Sequence, residues 1–206
     1  MSGTNTDPEN STVNGYVMLF GAGGMPQAAA MGGPARTWGG APDLLSLTAD
    51  NNISGVGEDF SKAVAWIPSA TGGNQMIYAN LTVLGNISWM IRQEGTNAWV
   101  WIGDGTGGNN QWLAASGLSN GTPIGVSFSY RLSDRHLLIY ANGAFVSDNA
   151  TGTTLTAQSY KTSLGGWAAG QNFSGSIVAP SGWNRILSAP EHALWWNSGN
   201  PQRLAP

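Results

Sequence analysis

Residues 136–149 read HLLIYANGAFVSDN, and the fold turns on how this stretch is read. Two apolar runs, 137–141 and 144–146, meet at Asn142-Gly143. A two-residue type I′ turn needs positive φ at both central positions, and Asn-Gly adopts that geometry at little cost. In the first run Leu137, Ile139 and Ala141 fall on one side, while Leu138 and Tyr140 fall on the other. Both sides are apolar. That predicts a strand lying between packed layers and makes the hairpin a core element.

Outward from this hairpin, short apolar runs recur between turn residues, the rhythm of a β-sandwich. Strands are predicted at 44–48, 62–67, 75–81, 86–92, 98–102, 111–114, 124–130, 137–141, 144–146, 173–178 and 183–187. In GVSFSY, alternation sets Val126, Phe128 and Tyr130 on one face and Ser127 and Ser129 on the other. Strands that follow one another without helices favour antiparallel pairing. One helix is signalled by Ser188-Ala189-Pro190-Glu191, a capping box with proline in the first turn. Leu194, Trp195 and Trp196 follow, and Gly199 offers a stop. The predicted helix has two to three turns.

Residues 1–43 read differently. Gly, Ala and Pro dominate, with no sustained period of 2 or 3.6. This segment is predicted to be an arm that gains structure by lying on its own domain or on a partner, with disorder as the alternative. The sandwich domain is assigned to 44–206.

Composition narrows the function classes. The chain has 206 residues, of which 41% are apolar and only 9% charged, against roughly 25% charged in ordinary soluble domains. Its surface must therefore be dressed in Asn, Ser, Thr, Gln and Gly. With little self-repulsion, repeated contacts between copies become plausible. A net charge of −3 and eight scattered basic residues leave no footprint for nucleic acid. There is no cysteine, so disulfides and thiolate metal sites are excluded. No apolar run reaches the roughly 20 residues of a membrane span. The stretch 16–33 is apolar only at 17–20 and has no preceding Lys or Arg, so it is not read as a signal peptide. Asn-x-Ser/Thr triplets at Asn10, Asn52, Asn80, Asn86, Asn120, Asn149 and Asn172 are read as chance products of an Asn-, Ser- and Thr-rich chain.

The segments GVSFSYRLSDRHLLIYANGAFV, SLGGW and NFSGSIVAPSGWNRILSAPEH together resemble the laminin-G-like and concanavalin A-like lectin/glucanase superfamily. The resemblance rests on Leu137, Ile139, Tyr140, Asn142, Gly143, Phe173, Gly175, Trp183, Asn184, Arg185, Leu187, Ser188 and Glu191. It is good over 123–197 and weaker over 44–122. It implies an all-β fold, a two-sheet antiparallel jelly-roll sandwich with one short C-terminal helix. These residues are turns, strand cores and a helix cap, so they speak of fold more than of function.

Tested against that family, catalysis finds few residues. Glycoside hydrolysis needs two carboxylates within several ångströms, and the adjacent acids Glu58 and Asp59 would point to opposite faces of a strand. His136 and His192 are read as surface or helix-end residues rather than bases. Many members of the family bind calcium near the strand that follows aromatic-x-Gly, but SIVAPSGW holds no acid there. Asp104 is a lone carboxylate among amides without EF-hand spacing. No metal and no cofactor is predicted.

Sugar binding has the better candidates. WVWIGDGTGGNNQW gathers Trp99, Trp101 and Trp112 around a loop carrying Asp104, Asn109 and Asn110, and sugars are held by aromatic faces together with planar polar groups. Trp99 and Trp101 share a face. They form a platform if it looks outward and core if it looks inward, and core is the commoner fate.

Two functions fit these residues. The first is a non-enzymatic virion-surface protein of decoration or fibre type, since sandwiches of the resembled superfamily occur in phage structural proteins. Its arm would dock on a capsid or neighbouring virion protein through Tyr16, Val17, Leu19, Phe20 and Trp38. A homo-oligomer would then present the outward sandwich, with glycans as a further ligand. The second is an extracellular carbohydrate-binding module or lectin.

Overall fold

The computed structural model describes residues 27–28, 33–39, 45–47, 57–81, 86–155, 161–166, 171–202 and 204. Their strands are β1 (Gln27–Ala28), β2 (Gly33–Gly39), β3 (Leu45–Leu47), β4 (Phe60–Pro68), β5 (Asn74–Leu81), β6 (Ile87–Glu94) and β7 (Asn97–Gly103). After them come β8 (Asn109–Ala115), β9 (Ile124–Arg131), β10 (His136–Ala141), β11 (Ala144–Ala150), β12 (Lys161–Leu164) and β13 (Ser174–Trp183), and then the helix α1 (Ala189–Trp196). They form two antiparallel sheets, ordered β1-β2-β13-β4-β9-β10-β11 and β3-β12-β5-β6-β7-β8.

Alternation explains the packing. Phe60, Val64 and Trp66 of β4, Phe128 and Tyr130 of β9, and Trp89 and Ile91 of β6 point between the sheets and are fully buried. Phe60 packs edge-on to Phe128 at 5.8 Å between centroids, and Trp89 to Tyr78 at 4.7 Å. Two polar groups in this layer are paired: Trp66 Nε1 donates to Gln93 Oε1 at 2.9 Å, and the Tyr130 hydroxyl donates to the Thr153 carbonyl at 2.8 Å. A buried polar atom without such a partner costs about 1–3 kcal/mol.

The Asn142-Gly143 turn forms as predicted. Asn142 and Gly143 have φ of 51° and 75°, and Ala141 pairs directly with Ala144. The Asn142 side chain accepts from the Gly125 N–H at 2.9 Å and ties the turn to β9. A Cβ on Gly143 would come within 2.9 Å of Ala193 Cα, so the turn is also the seat on which α1 rests. Only β10 is a core strand, however. β11 is the outer edge of its sheet, with Phe145 56% and Val146 41% exposed. Local alternation could not reveal that nothing among the described strands pairs beyond it.

Two further expectations are corrected, and a third point concerns the segment 1–43. Residues 183–187 are not a strand of their own. β13 runs unbroken to Trp183 through a bulge between Val178 and Ser181, where Ala179 has φ 48°. Pro180, which lacks an N–H, is accommodated at such a bulge. Second, β12 was not predicted, because Lys-Thr-Ser-Leu carries no period, yet it pairs with both β3 and β5. Third, β1 and β2 fall inside the segment expected to be an irregular arm. β2 pairs with β13, which sets Trp38 opposite Gly175 within the sheet. Tyr16, Val17, Leu19 and Phe20 lie outside the described residues.

The helix covers the outer face of the seven-stranded sheet. The Glu191 carboxylate accepts from the Ser188 N–H and hydroxyl at 2.7 and 2.8 Å and pairs with Arg185 at 2.8 Å. Those partners, Arg185 first, hold its pKa down to about 2. The helix ends at Trp196, because Asn197 already adopts the left-handed conformation, two residues before the expected glycine stop.

Candidate functional site

The strand β7 alternates as its sequence demands. Ala98, Val100 and Ile102 enter the layer between the sheets, while Trp99 and Trp101 are half-buried on the outer face of the six-stranded sheet. The pair is thus outward, against the commoner fate weighed from sequence. Register supplies its neighbours. Trp99 lies opposite Arg92 on β6 and Leu113 on β8, and Trp101 lies opposite Met90 and Gln111. Leu113 is 42% exposed. Trp101 also flanks an apolar layer on this face made of Met76, Ala79, Leu81, Ile87 and Met90.

Arg92 is the residue that sequence reading missed. Its guanidinium carbon sits 5.3 Å from the centre of the Trp101 ring, a cation–π contact, and its Nη2 pairs with Glu94 at 3.0 Å. Burial lowers the Arg92 pKa, and Glu94 opposes that shift. The signal was present in ISWMIRQEGTNAWVW. Gly95-Thr96 is a two-residue turn between Glu94 and Asn97, and counting back from it sets Arg92 against Trp99.

The other candidates separate. Trp112 pairs with Val100 and faces inward against the core. Asn110 donates from Nδ2 to the Thr151 carbonyl at 3.1 Å and to Thr153 Oγ1 at 3.0 Å, closing the rim of the sandwich beside β11. Asn109 donates to the Gly107 carbonyl at 3.2 Å. Asp104 shapes its own loop. It accepts from the Thr106 and Gly108 N–H groups at 2.7 and 3.0 Å, and these bonds hold its carboxyl below the usual range. A Cβ on Gly108 would collide with that carboxylate. Of the six residues, then, Trp99, Trp101 and Asn109 share the outer face. Trp112 packs against the core, Asn110 is tied at the rim, and Asp104 is occupied in the turn.

The histidines are also placed. His136 Nδ1 meets Asp148 Oδ1 at 2.6 Å on the surface. His192, expected at the surface or a helix end, is instead fully buried under α1. Its Nδ1 and Nε2 lie 2.8 and 3.0 Å from the hydroxyls of Ser127 and Ser129, and its ring stacks on Tyr140 at 3.8 Å. The serine face of β9, set opposite Val126, Phe128 and Tyr130 by alternation, receives the helix. Burial lowers the His192 pKa to about 4, so the ring is neutral at pH 7. Among the described residues no three His, Asp or Glu side chains converge as a metal site, and no helix is long and apolar enough to cross a membrane.

No protein-family model matches the sequence, and no curated protein matches it. Solved structures do match in fold. A heptameric SAP-like pentraxin from Limulus polyphemus superposes with a TM-score of 0.59 at 11% identity, over 79% of this chain and 81% of its own. The CBM40 of a Ruminococcus gnavus IT-sialidase, bound to α2,3-sialyllactose, gives 0.60 at 12% identity, over 77% and 94%. The ligand-binding domain of botulinum neurotoxin serotype D, in complex with N-acetylneuraminic acid, gives 0.66 at 12% over 86% of this chain. This chain spans only 47% of that toxin domain. By the two antiparallel sheets and one short helix of its described residues, and by these likenesses, the chain has a two-sheet jelly-roll sandwich fold.

Proposed function

We propose that this chain is a non-catalytic carbohydrate-binding module acting outside the cell, and that it grips its ligand on the outer face of the six-stranded sheet. The observation that carries this reading is the outward pair Trp99 and Trp101, flanked by Leu113 and Gln111. Two indoles spaced two residues apart on a strand are about 7 Å apart along it, close enough for one oligosaccharide to touch both. Glycan-bound neighbours of the same fold support the reading by analogy of fold alone. The virion-surface role draws no support from the neighbours reported, so a capsid partner for residues 1–43 remains the weaker reading.

A glycan array with the full chain tests the proposal. Trp99→Ala and Trp101→Ala should each abolish retention on the glycans that the unaltered chain binds, with little change in melting temperature. Retention unchanged in both variants, or no glycan bound by the unaltered chain, would overturn it.

A further inference from the structure

The outer face carries donors without acceptors. Arg92 Nε, Trp99 Nε1 and Trp101 Nε1 are buried and have no hydrogen-bond partner among the described residues. An unpaired indole is not diagnostic here, because Trp183 and Trp195 have one each on the opposite side of the sandwich. The guanidinium is what distinguishes this face. Arg92 keeps only 10% of its side chain exposed, and its single carboxylate partner, Glu94, is 28% exposed and engages Nη2.

Arginine and tryptophan N–H groups can only donate, so whatever completes the set must bring acceptors. A buried guanidinium with a free Nε–H favours an acceptor that is charged and planar, because a carboxylate can take two of its N–H groups at once. Aromatic faces beside it favour a ring with C–H groups to lay against them. Together the geometry points to a saccharide bearing a carboxylate. Its acid group meets Arg92, and its ring and hydroxyls meet Trp99 and Trp101. This assignment rests on the binding-module reading above and narrows it to acidic sugars. Glu94 would compete with the ligand for the same guanidinium.

The test compares 3′-sialyllactose with lactose, and oligogalacturonate with galacto-oligosaccharide, by calorimetry on the full chain. The acidic member of each pair should bind at least tenfold more tightly than the neutral one. Arg92→Met, which keeps an apolar stem over Trp101, should erase that difference. Glu94→Gln should tighten acidic binding severalfold, and as a surface change it should leave the fold intact even if the Arg92 variant unfolds. Acidic and neutral sugars bound equally, or Glu94→Gln without effect on acidic binding, would overturn the assignment while leaving a carbohydrate module standing. Binding of no saccharide, acidic or neutral, would overturn both.

Discussion

The two outer faces of the sandwich hold similar residues, tryptophans beside polar side chains, but complete them in different ways. On the seven-stranded sheet, α1 lies over Ser61, Ser127 and Ser129, and the His192 ring lies 2.8 and 3.0 Å from the Ser127 and Ser129 hydroxyls. The Ser61 hydroxyl donates to the Arg185 carbonyl and accepts from the Leu187 N–H, at 2.7 and 3.0 Å. That stitches the chain before the helix to the sheet. On the six-stranded sheet, Arg92, Trp99 and Trp101 have a ring contact and one ion pair, but Arg92 Nε and the two indole N–H groups find no partner among the described residues. One polar face has been closed by the chain's own helix. The other holds buried donors that no described residue meets. A serine row reads as solvent-facing only until a histidine is laid across it.

The largest expected effect lies under the helix. Trp195→Ala should lose about 3–5 kcal/mol, because a large buried ring leaves a cavity. Denaturant unfolding measures it, and a loss below about 1 kcal/mol would mean that the helix is not tightly seated.

Acid should then separate the two faces. His192 titrates near 6.5 in the unfolded chain but near 4 when buried. The unfolded state therefore binds the extra proton first, so stability is full above pH 6.5 and falls as pH drops towards 4. The expected loss is about 3 kcal/mol across that window. His192→Gln should flatten the slope. The groups around the ring are Tyr140, Glu191, Ser127 and Ser129; of these only Glu191 reaches the foot of that window, through its unfolded value of 4.5. Equal slopes in both proteins would remove His192 as the cause. Glu191, with its pKa held near 2, acts at lower pH: its contribution is present above about 4.5 and is lost as pH falls through 2.

Smaller effects sharpen the contrast. Gly143→Ala would be strained at φ 75° and press on Ala193, for an expected loss of about 1–2 kcal/mol read by thermal unfolding. Within one hairpin, Trp112→Ala should cost about 2–3 kcal/mol and Trp101→Ala only about 1, since the first packs against the large layer between the sheets and the second is half-buried beside a smaller cluster on the outer face. Glycan binding should show the reverse order of sensitivity. Leu113→Ser, at an exposed site, should fall within about 0.5 kcal/mol of neutral. If Trp101→Ala proves as damaging as Trp112→Ala, the outer face is core after all.

Much of this architecture follows from short-range rules. The Asn142-Gly143 turn, the alternation in 124–130 and the carboxylate three residues into the helix depend on backbone geometry within a few residues, and each appears where those rules place it. Long-range facts did not follow from them. The four residues of β12 gain their strand only from β3 and β5 on either side. Arg92 could be set against Trp99 by counting across the Gly95-Thr96 turn, but whether a face is covered depends on which element folds back over it. Sequence by itself determined an antiparallel sandwich with one capped helix, because turn chemistry and side-chain period are local. Tertiary structure decided that Trp99 and Trp101 look outward while the Ser127 and Ser129 face is buried, because exposure belongs to the packed whole and not to any strand.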